Sequence, residues 1–443
     1  MNPRSTQPRA IRPMALVLSL SLLLSHSAHA ADPEELERRL AQSLQLIEAL
    51  TRRLERVEGE LAATKAPATP ASVPATAAAS APPADARIEQ LERTMDQLTA
   101  SSGRDLRDAG LALHGFADVG LAQTRHLPAG QKDGVAVGTV DFYLTPEFGA
   151  NVKTLVELNF GTADNGHTQV DLERAQIGYA FSDALTVWLG RFHTPFGYWN
   201  MAYHHGAQIQ PSILRPRMLD FEDDGGILPV HTTGAWAAGS ARFGADKLSY
   251  NFYIGNGSRI IDGQLNPNPG GDDNRNKAVG FGLNYRFGGP SGGVTWGLNG
   301  LRQTVDAHGA ADAVVSTTRM TMLGTHAVYE DDKWQVIGEY YRLRDLDLSG
   351  PTGEHNSWTG YAHVGYTFDD RWGPYYRLEK AALDQNDNYF LAQQYGRSYL
   401  RHVLGVRYNV DPGAVVKVEL VRTDDHGLGY TTDQLRLQYA VGF

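Results

Sequence analysis

A group of ionisable side chains in this 443-residue chain lies between two apolar segments, over residues 193–229. Basic groups come first and acidic groups follow. Facing clusters of opposite charge create a transverse field across a narrow passage, which orders dipolar solutes and sets ion preference. We expect a constriction in a long connecting loop, formed by Arg191, His193, His204, His205, Arg215, Arg217, Asp220, Glu222, Asp223 and Asp224.

The same residues are also compatible with a bracing role and with a metal site. The charges can brace the segment through ion pairs, and this can hold together with a constriction. His204 and His205, with His193 or His231, can supply imidazole ligands to a metal ion. Because adjacent histidines in an unpatterned segment are weak evidence, we expect no metal and no other cofactor.

Several classes of function are disfavoured by motifs and composition. The chain carries no G-x-S-x-G, H-E-x-x-H or P-loop pattern, so we expect no enzymatic activity. The formal net charge of −10 argues against a nucleic-acid partner. The absence of cysteine excludes stabilisation by disulfides and indicates a large hydrogen-bonded architecture.

The elements that must position these residues are short segments of alternating polarity, rich in aromatic residues, valine and glycine and separated by turn residues. This pattern predicts β-strands. We predict sixteen of them, over residues 110–124, 135–148, 152–160, 170–180, 185–192, 230–243, 247–255, 277–287, 294–304, 317–329, 333–344, 356–367, 373–383, 400–409, 414–423 and 432–443. Short connections alternate with long ones, as in a barrel with tight periplasmic turns and long external loops.

The predicted strands carry charged side chains at positions that we assign to the barrel interior. A polar interior implies water and hence a channel, although a plugged barrel would carry the same wall. The predicted lumen wall comprises Arg174, Arg377, Glu379, Arg401, Arg407, Lys417 and Arg436.

The residues before the predicted barrel form a different kind of sequence. Residues 1–30 have a basic start, an apolar run and an A-x-A site, which predicts a cleaved signal peptide. Residues 31–65 show a heptad pattern typical of an α-helical coiled coil. Residues 66–84 form an Ala/Pro-rich linker. Residues 85–102 form a second short coiled-coil segment, which needs partner chains for stability.

The predicted fold is therefore all-β: a 16-stranded antiparallel transmembrane β-barrel over residues 110–443, preceded by an N-terminal α-helical coiled coil. No window after residue 30 is long and apolar enough for a membrane-spanning helix. The final segment alternates in polarity and ends at Phe443, an aromatic end that we interpret as the signal to the barrel assembly machinery.

Several stretches resemble the phosphate-selective porin O and P family and related trimeric porins that carry a coiled coil. They are HGFADVG at 114–120, VELNFG at 156–161, ERAQIGY at 173–179, LGRFHTPFGYWN at 189–200 and LQYAVGF at 437–443. The resemblance covers most of residues 110–443 and implies a trimer with a charged constriction. The arginine ladder and lysine cluster of that family cannot be matched to positions here, so phosphate is only one candidate solute.

These observations together predict a porin of the bacterial outer membrane, with its coiled coil in the periplasm. We expect passive diffusion of small hydrophilic solutes, with phosphate or carboxylates as candidate anions. The expected partners are outer-membrane lipid, these solutes, the assembly machinery and two further copies in a homotrimer, with peptidoglycan as a further candidate. The alternative function is a structural tether that links a closed barrel to the periplasm or to peptidoglycan.

Overall fold

The computed structural model describes residues 113–126, 133–146, 150–162, 166–222, 224–288, 293–427 and 429–443. The predicted signal peptide, coiled-coil segments and linker, together with Asp223, lie outside the described residues. Among the residues that are described, no helix has both the length and the apolar composition to cross a membrane.

Strands dominate the described chain. In order they are β1 (Leu113–Arg125), β2 (Gly134–Leu144), β3 (Val152–Thr162), β4 (Thr168–Ser182), β5 (Leu185–His193), β6 (His231–Phe243), β7 (Asp246–Gly255), β8 (Arg259–Ile261), β9 (Gln264–Asn266), β10 (Ala278–Phe287), β11 (Gly293–His308), β12 (Val314–Glu330), β13 (Trp334–Asp347), β14 (Glu354–Tyr366), β15 (Trp372–Ala382), β16 (Tyr399–Asp411), β17 (Ala414–Asp425) and β18 (Thr431–Gly442). Two one-turn α-helices, α1 (Trp199–Ala202) and α2 (Asn388–Leu391), lie in connections.

The sheet closes on itself. The hydrogen-bonded sheet contains 18 strands among the described residues. Two of them, β8 and β9, form a small hairpin in the connection from β7 to β10, and the other sixteen form the barrel. Neighbouring barrel strands pair antiparallel, β7 pairs directly with β10, and β18 pairs with β1 from Phe116↔Gly442 to Arg125↔Asp433. The predicted 16-stranded antiparallel barrel is thus confirmed.

The strand predictions differ from the structure mainly at their ends. Each of the sixteen predicted segments overlaps one barrel strand, but β12 begins at Val314 rather than at residue 317, and β2 ends at Leu144 rather than at 148. The β8–β9 hairpin was not predicted. Its strands have three residues each, too few to show a periodicity.

The polarity of the barrel is opposite to that of a soluble protein. On β17, Lys417 and Glu419 are fully buried (0% exposed), whereas Val418 and Leu420 are 40% and 55% exposed. Since side chains alternate between the two faces of a strand, the inner face of β17 is polar and its outer face is apolar. This arrangement is that of a barrel whose outer surface contacts lipid.

The apolar core lies inside the barrel, between the wall and the long β5–β6 connection. Trp199, Leu219 and Leu228 from that connection are fully buried in one cluster with wall residues such as Met320 and Ile337. Each such side chain contributes about 1.5–3 kcal/mol of transfer free energy. The connection is therefore part of the folded interior.

Barrel closure depends on a glycine. The Gly115 and Phe443 backbones exchange two hydrogen bonds of 2.9 and 3.0 Å. A Cβ atom at Gly115 would lie 2.3 Å from the Asp141 carbonyl oxygen and 2.8 Å from the Phe443 ring. No side chain fits there unless the backbones of β1 and β2 separate.

We therefore expect Gly115→Ala to lower the free energy of unfolding by about 1–3 kcal/mol, as overpacking does elsewhere. The measurement is urea unfolding of the barrel in detergent micelles. Gly161→Ala is the matched control, because the nearest atom to its Cβ is 4.0 Å away. Equal unfolding midpoints for the two variants would contradict this role of Gly115.

Candidate functional site

The β5–β6 connection, residues 194–230, is called the inner loop here because it crosses the barrel interior. Its backbone amides donate hydrogen bonds to inner-face carboxylates of three different strands. Trp199 N–H donates to Glu339 of β13 (2.7 Å), Ile213 N–H to Glu419 of β17 (2.6 Å) and Arg217 N–H to Glu379 of β15 (2.7 Å). Hydrogen bonds thus connect the loop to the barrel wall from Trp199 to Arg217.

Hydrogen bonds within the inner loop hold its first and last residues together. The side chain of Asn200 donates to the carbonyl oxygens of Thr194 (2.9 Å) and Val230 (3.1 Å), which joins the departing and returning chain. Gly197 adopts a φ of +66°, and a Cβ there would lie 2.0 Å from the Tyr341 hydroxyl. The HTPFGYWN stretch therefore needs glycine both for its backbone conformation and for its contact with the wall.

Basic wall residues bind the carbonyl groups of the inner loop. Arg377 donates to the carbonyls of Leu214 (2.9 Å) and Arg215 (3.1 Å). Arg407 donates to those of Gln208 (2.8 Å) and Gln210 (3.0 Å). Lys417 donates to Ala207 (2.5 Å) and Ser212 (3.3 Å). Four of the predicted lumen-wall residues, Arg377, Glu379, Arg407 and Lys417, thus anchor the loop.

The three remaining predicted wall residues retain more contact with the lumen. Arg174 pairs with Glu157 and has a side chain 21% exposed. Arg401, 3.9 Å from Glu379, is 13% exposed. Arg436 is partly buried, and its Nε donates to Gln434 at 3.3 Å. These side chains, unlike the fully buried anchors Arg377, Glu379 and Lys417, are partly accessible.

The arginines of the inner loop are held by the protein itself. Arg215 is 6% exposed, donates to the Leu219 carbonyl (2.9 Å) and lies 3.9 Å from the Phe221 ring centre. Arg217 is 8% exposed and pairs with Asp425 at 2.7 Å. Both arginines therefore brace the inner loop against its surroundings.

The acidic residues of the inner loop separate into different environments. Asp224 is exposed. Burial raises the pKa of Asp220 to about 6, although Arg401 and Arg215 oppose this shift. Glu222 accepts hydrogen bonds from the backbone and ring of His231, both at 2.8 Å. Burial would raise the pKa of Glu222, but the charge of His231 and the hydrogen bonds that Glu222 accepts together outweigh it and lower that pKa. The two predicted charge clusters therefore do not face each other as separate blocks.

The histidines of this region come together. His193 and His231 are paired across β5 and β6, and the His204 ring stacks on His193 with centres 3.5 Å apart. His204 Nε2 lies 2.9 Å from His231 Nε2. His205 completes the histidine cluster, in which one ligand atom from each residue lies within 4.8 Å of the others. Arg191, two residues before His193, lies 4.0 Å from Glu173 beside this cluster.

Carboxylates from β2, β3 and β4 surround the histidine cluster. Glu173 Oε2 lies 2.8 Å from His231 Nε2 and 3.5 Å from His205 Nε2, Asp141 lies 3.3 Å from His205, and Glu157 lies 3.5 Å from His193. Burial lowers the pKa of His205, but the negative charges of Glu157, Asp141 and Glu173 outweigh it and raise that pKa to about 10.

His204 has the opposite titration behaviour. Burial, together with the neighbouring His193 and Arg215, holds its pKa well below the ordinary value. His204 is therefore neutral, and one of its ring nitrogens carries a free electron pair. The histidine cluster combines a charged imidazole and a neutral one within a few ångströms.

A β-bulge brings Glu173 to the histidine cluster. In the β3–β4 ladder Glu157 pairs with Arg174 and Leu158 pairs with Leu172, so Glu173 is the extra residue. A bulge redirects a side chain that strict alternation would place elsewhere. Sequence analysis did not select Glu173, because a bulge leaves no periodic signal. Asp141 and Glu157 do occupy alternating positions and could have been found.

Comparison with solved structures shows the fold. The anion-selective porin of Comamonas acidovorans has a TM-score of 0.51 at 12% sequence identity, covering 75% of this chain and 99% of that chain. The trimer form of OmpT, an outer membrane protein of Vibrio cholerae, has a TM-score of 0.50 at 10% identity, with 75% and 99% covered. No protein-family model and no curated protein sequence matches. The chain therefore shares the porin barrel fold.

The anchoring of the inner loop is testable at Arg377, which is fully buried and also pairs with Glu379 at 2.9 Å. We expect Arg377→Met to lower the free energy of unfolding by about 3–5 kcal/mol, because it leaves a buried carboxylate and two carbonyls without their partner. The measurement is urea unfolding in micelles, followed by tryptophan fluorescence.

The matched control is Arg344→Met, which removes an ion pair with Glu354 whose side chains are 66% and 41% exposed. Solvent screens that pair, so its loss should change the midpoint little. Trypsin should cleave the inner loop after Arg217 faster in Arg377→Met alone. Equal midpoints and equal cleavage rates in both variants would show that Arg377 does not anchor the loop.

Proposed function

We propose that this chain is a porin of the bacterial outer membrane, through which small hydrophilic solutes diffuse passively with a preference for anions. The observation that carries the proposal is a 16-stranded barrel with an apolar outer face and arginines that keep access to its lumen. No chemical step and no enzymatic activity belong to this function.

The outer face supports insertion in a membrane. Large apolar side chains remain exposed along consecutive strands, among them Leu323 on β12 (59%), Leu404 on β16 (55%) and Leu437 on β18 (42%). A soluble protein rarely leaves so much contiguous apolar surface in water. A closed barrel satisfies every backbone group in lipid, since it has no open sheet edge.

The lumen supports anion preference. Arg174, Arg191, Arg401 and Arg436, on β4, β5, β16 and β18, retain partial exposure. Their guanidinium groups stay charged and bind phosphate and carboxylate groups in bidentate fashion. Although carboxylates lie beside three of them, we infer that these arginines supply positive charge to the passage of a chain whose net charge is −10.

Phosphate and small carboxylates are the candidate solutes. The resemblance of several stretches to the phosphate-selective porin O and P family favours phosphate, and the similar fold of a porin described as anion-selective favours anions in general. The mixed signs around the inner loop fit a selective filter for small anions better than a wide unselective pore.

We infer that the protein acts as a homotrimer, as the related fold of a trimeric outer membrane protein suggests. The coiled coil predicted over residues 31–65 would lie in the periplasm and hold three chains together. Phe443 would serve as the signal recognised by the assembly machinery. Peptidoglycan remains a candidate partner of the periplasmic segments.

The competing function is a structural tether with a closed barrel. The many anchors that hold the inner loop to β13, β15 and β17 favour it, because they fill part of the lumen. Single-channel conductance of the refolded mature protein in planar bilayers separates the two functions. Current steps in groups of three support a trimeric porin, and folded protein without conductance would overturn the proposal in favour of a tether.

The lumen arginines are tested by Arg401→Gln combined with Arg436→Gln. We expect the anion-to-cation permeability ratio to fall about fourfold for each charge removed, the effect of one charge at about 5 Å in a water-filled passage. The measurement is the reversal potential under a salt gradient. Arg344→Gln with Arg422→Gln is the control, since these side chains are 66% and 65% exposed and take no part in the contacts that hold the inner loop. An equal shift in the control pair would exclude a specific role of Arg401 and Arg436.

Asp220 gives the passage a pH dependence. Its pKa of about 6 means that the carboxyl is ionised at pH 7 and protonated at pH 5. Lowering the pH therefore removes a negative charge, and the anion-to-cation ratio should rise about fourfold. Reversal potentials at pH 5 and 7 measure this.

The rest of the protein meets the same pH change in every variant, so the informative quantity is the difference between variants. Asp220→Asn should show the higher ratio already at pH 7 and lose that part of the rise. Asp411→Asn, at an exposed turn, should behave as the unmodified protein. An unchanged pH response in Asp220→Asn would exclude this carboxyl as its source.

A further inference from the structure

We propose that the histidine cluster, with Glu173, is a binding site for one divalent transition-metal ion of the Zn²⁺ type. Its residues come from four separate segments: Glu173 from β4, His193 from the end of β5, His204 and His205 from the inner loop, and His231 from the start of β6. The site is independent of the diffusion function proposed above.

The orientation of the rings is the first argument. The outer nitrogens of three histidines each face an oxygen: His204 Nδ1 lies 2.8 Å from Asn200 Oδ1, His231 Nδ1 lies 2.8 Å from Glu222 and His205 Nδ1 lies 3.3 Å from Asp141. Metal-bound histidines almost always have such a partner, which fixes the ring and directs the other nitrogen to the ion.

Three buried polar atoms of the site also lack a hydrogen bond. His193 Nε2, His205 Nε2 and Glu173 Oε2 are buried and have no hydrogen-bond partner. Glu173 Oε2 lies 2.8 Å from His231 Nε2 but is not aligned for a hydrogen bond. Unpaired buried polar atoms are costly, and in a folded protein they indicate a partner.

The distances between the candidate ligand atoms also fit a bound ion. Donor atoms around a tetrahedral ion with bonds of 2.0–2.1 Å are about 3.4 Å apart. The inward atoms of His204 and His231 are 2.9 Å apart, those of His231 and Glu173 are 2.8 Å apart, and those of His205 and Glu173 are 3.5 Å apart. An ion between them requires only small side-chain shifts.

The donor set selects the class of ion. Imidazole nitrogens suit zinc, copper and nickel, whereas calcium and magnesium take oxygen ligands. Asp141 and Glu157, next to His205 and His193, add negative charge that favours a divalent cation. From the sequence alone no metal was expected, because adjacent histidines are weak evidence. The fold brings four histidines from separate segments together, and this proximity could not be seen in the sequence.

The test uses the untagged mature protein, folded in detergent and freed of metal with a chelator. Zn²⁺ is titrated against a chromophoric competitor, and Co²⁺ is added as a spectroscopic probe. We expect one tightly bound Zn²⁺ per chain, visible Co²⁺ bands of four- or five-coordinate intensity from the five available donors, and no binding of Ca²⁺ at the same concentration.

His204→Gln and Glu173→Gln should each weaken Zn²⁺ binding about 100-fold or more and abolish the Co²⁺ bands. His363→Gln is the matched control, because His363 is buried on the wall without hydrogen bonds and lies outside the cluster. Circular dichroism checks that each variant folds. If His204→Gln does not fold, the Zn²⁺ affinity of Glu173→Gln, which keeps the shape of the side chain, is the deciding measurement.

Less than one equivalent of Zn²⁺ on the folded unmodified protein would overturn the proposal. So would equal affinity in Glu173→Gln and His363→Gln, since this would mean that the ion binds elsewhere. Conductance is not a readout here, so a failed metal site leaves the proposed porin function untouched, and a closed barrel leaves the metal site untouched.

Discussion

The structure depends on how charged side chains on the inner wall are neutralised. Arg377, Lys417 and Glu419 are fully buried, and a buried charge without a partner costs several kcal/mol. The inner loop meets this requirement with main-chain groups, donating N–H to the carboxylates and offering C=O to the cations. The loop is thereby fixed in the lumen, and the space that remains is determined by where the loop is held. The hydrogen bonds between the charged wall residues and the main chain of the loop therefore determine where the loop lies, which charges remain exposed and how wide the passage beside the loop is.

Much of the fold could be predicted from the sequence because it is periodic. The alternation in β17, where lysine and glutamate stand between valines and leucine, indicates both the strand and its inner face. The count of sixteen followed from such segments and from the rhythm of the connections. The small β8–β9 hairpin could not be found, since three residues contain no repeat.

The candidate site was harder to predict, for physical reasons that differ from residue to residue. The inner loop was identified by its length and its charge. That Arg215 and Arg217 are buried could not be inferred, because Arg217 pairs with Asp425, which is distant in sequence, and Arg215 reaches the Leu219 carbonyl only in the folded conformation of the loop. Glu173 reaches the histidines only through a bulge. The anchors on Arg377 and Arg407 are carbonyl groups, which every residue possesses and no sequence pattern distinguishes.

The barrel wall holds the inner loop through hydrogen bonds to its main chain. This has a consequence for how such a protein can change over generations. Exchanging an exposed side chain of the loop, such as Met201 or Asp224, leaves the amides and carbonyls of the loop in place, so such substitutions keep the loop where it is. The residues constrained by the anchoring lie on the barrel wall and at the buried positions of the loop. The exposed positions can therefore accumulate variation in charge and size while the scaffold stays constant, and a new solute preference can arise by few mutations without a new fold.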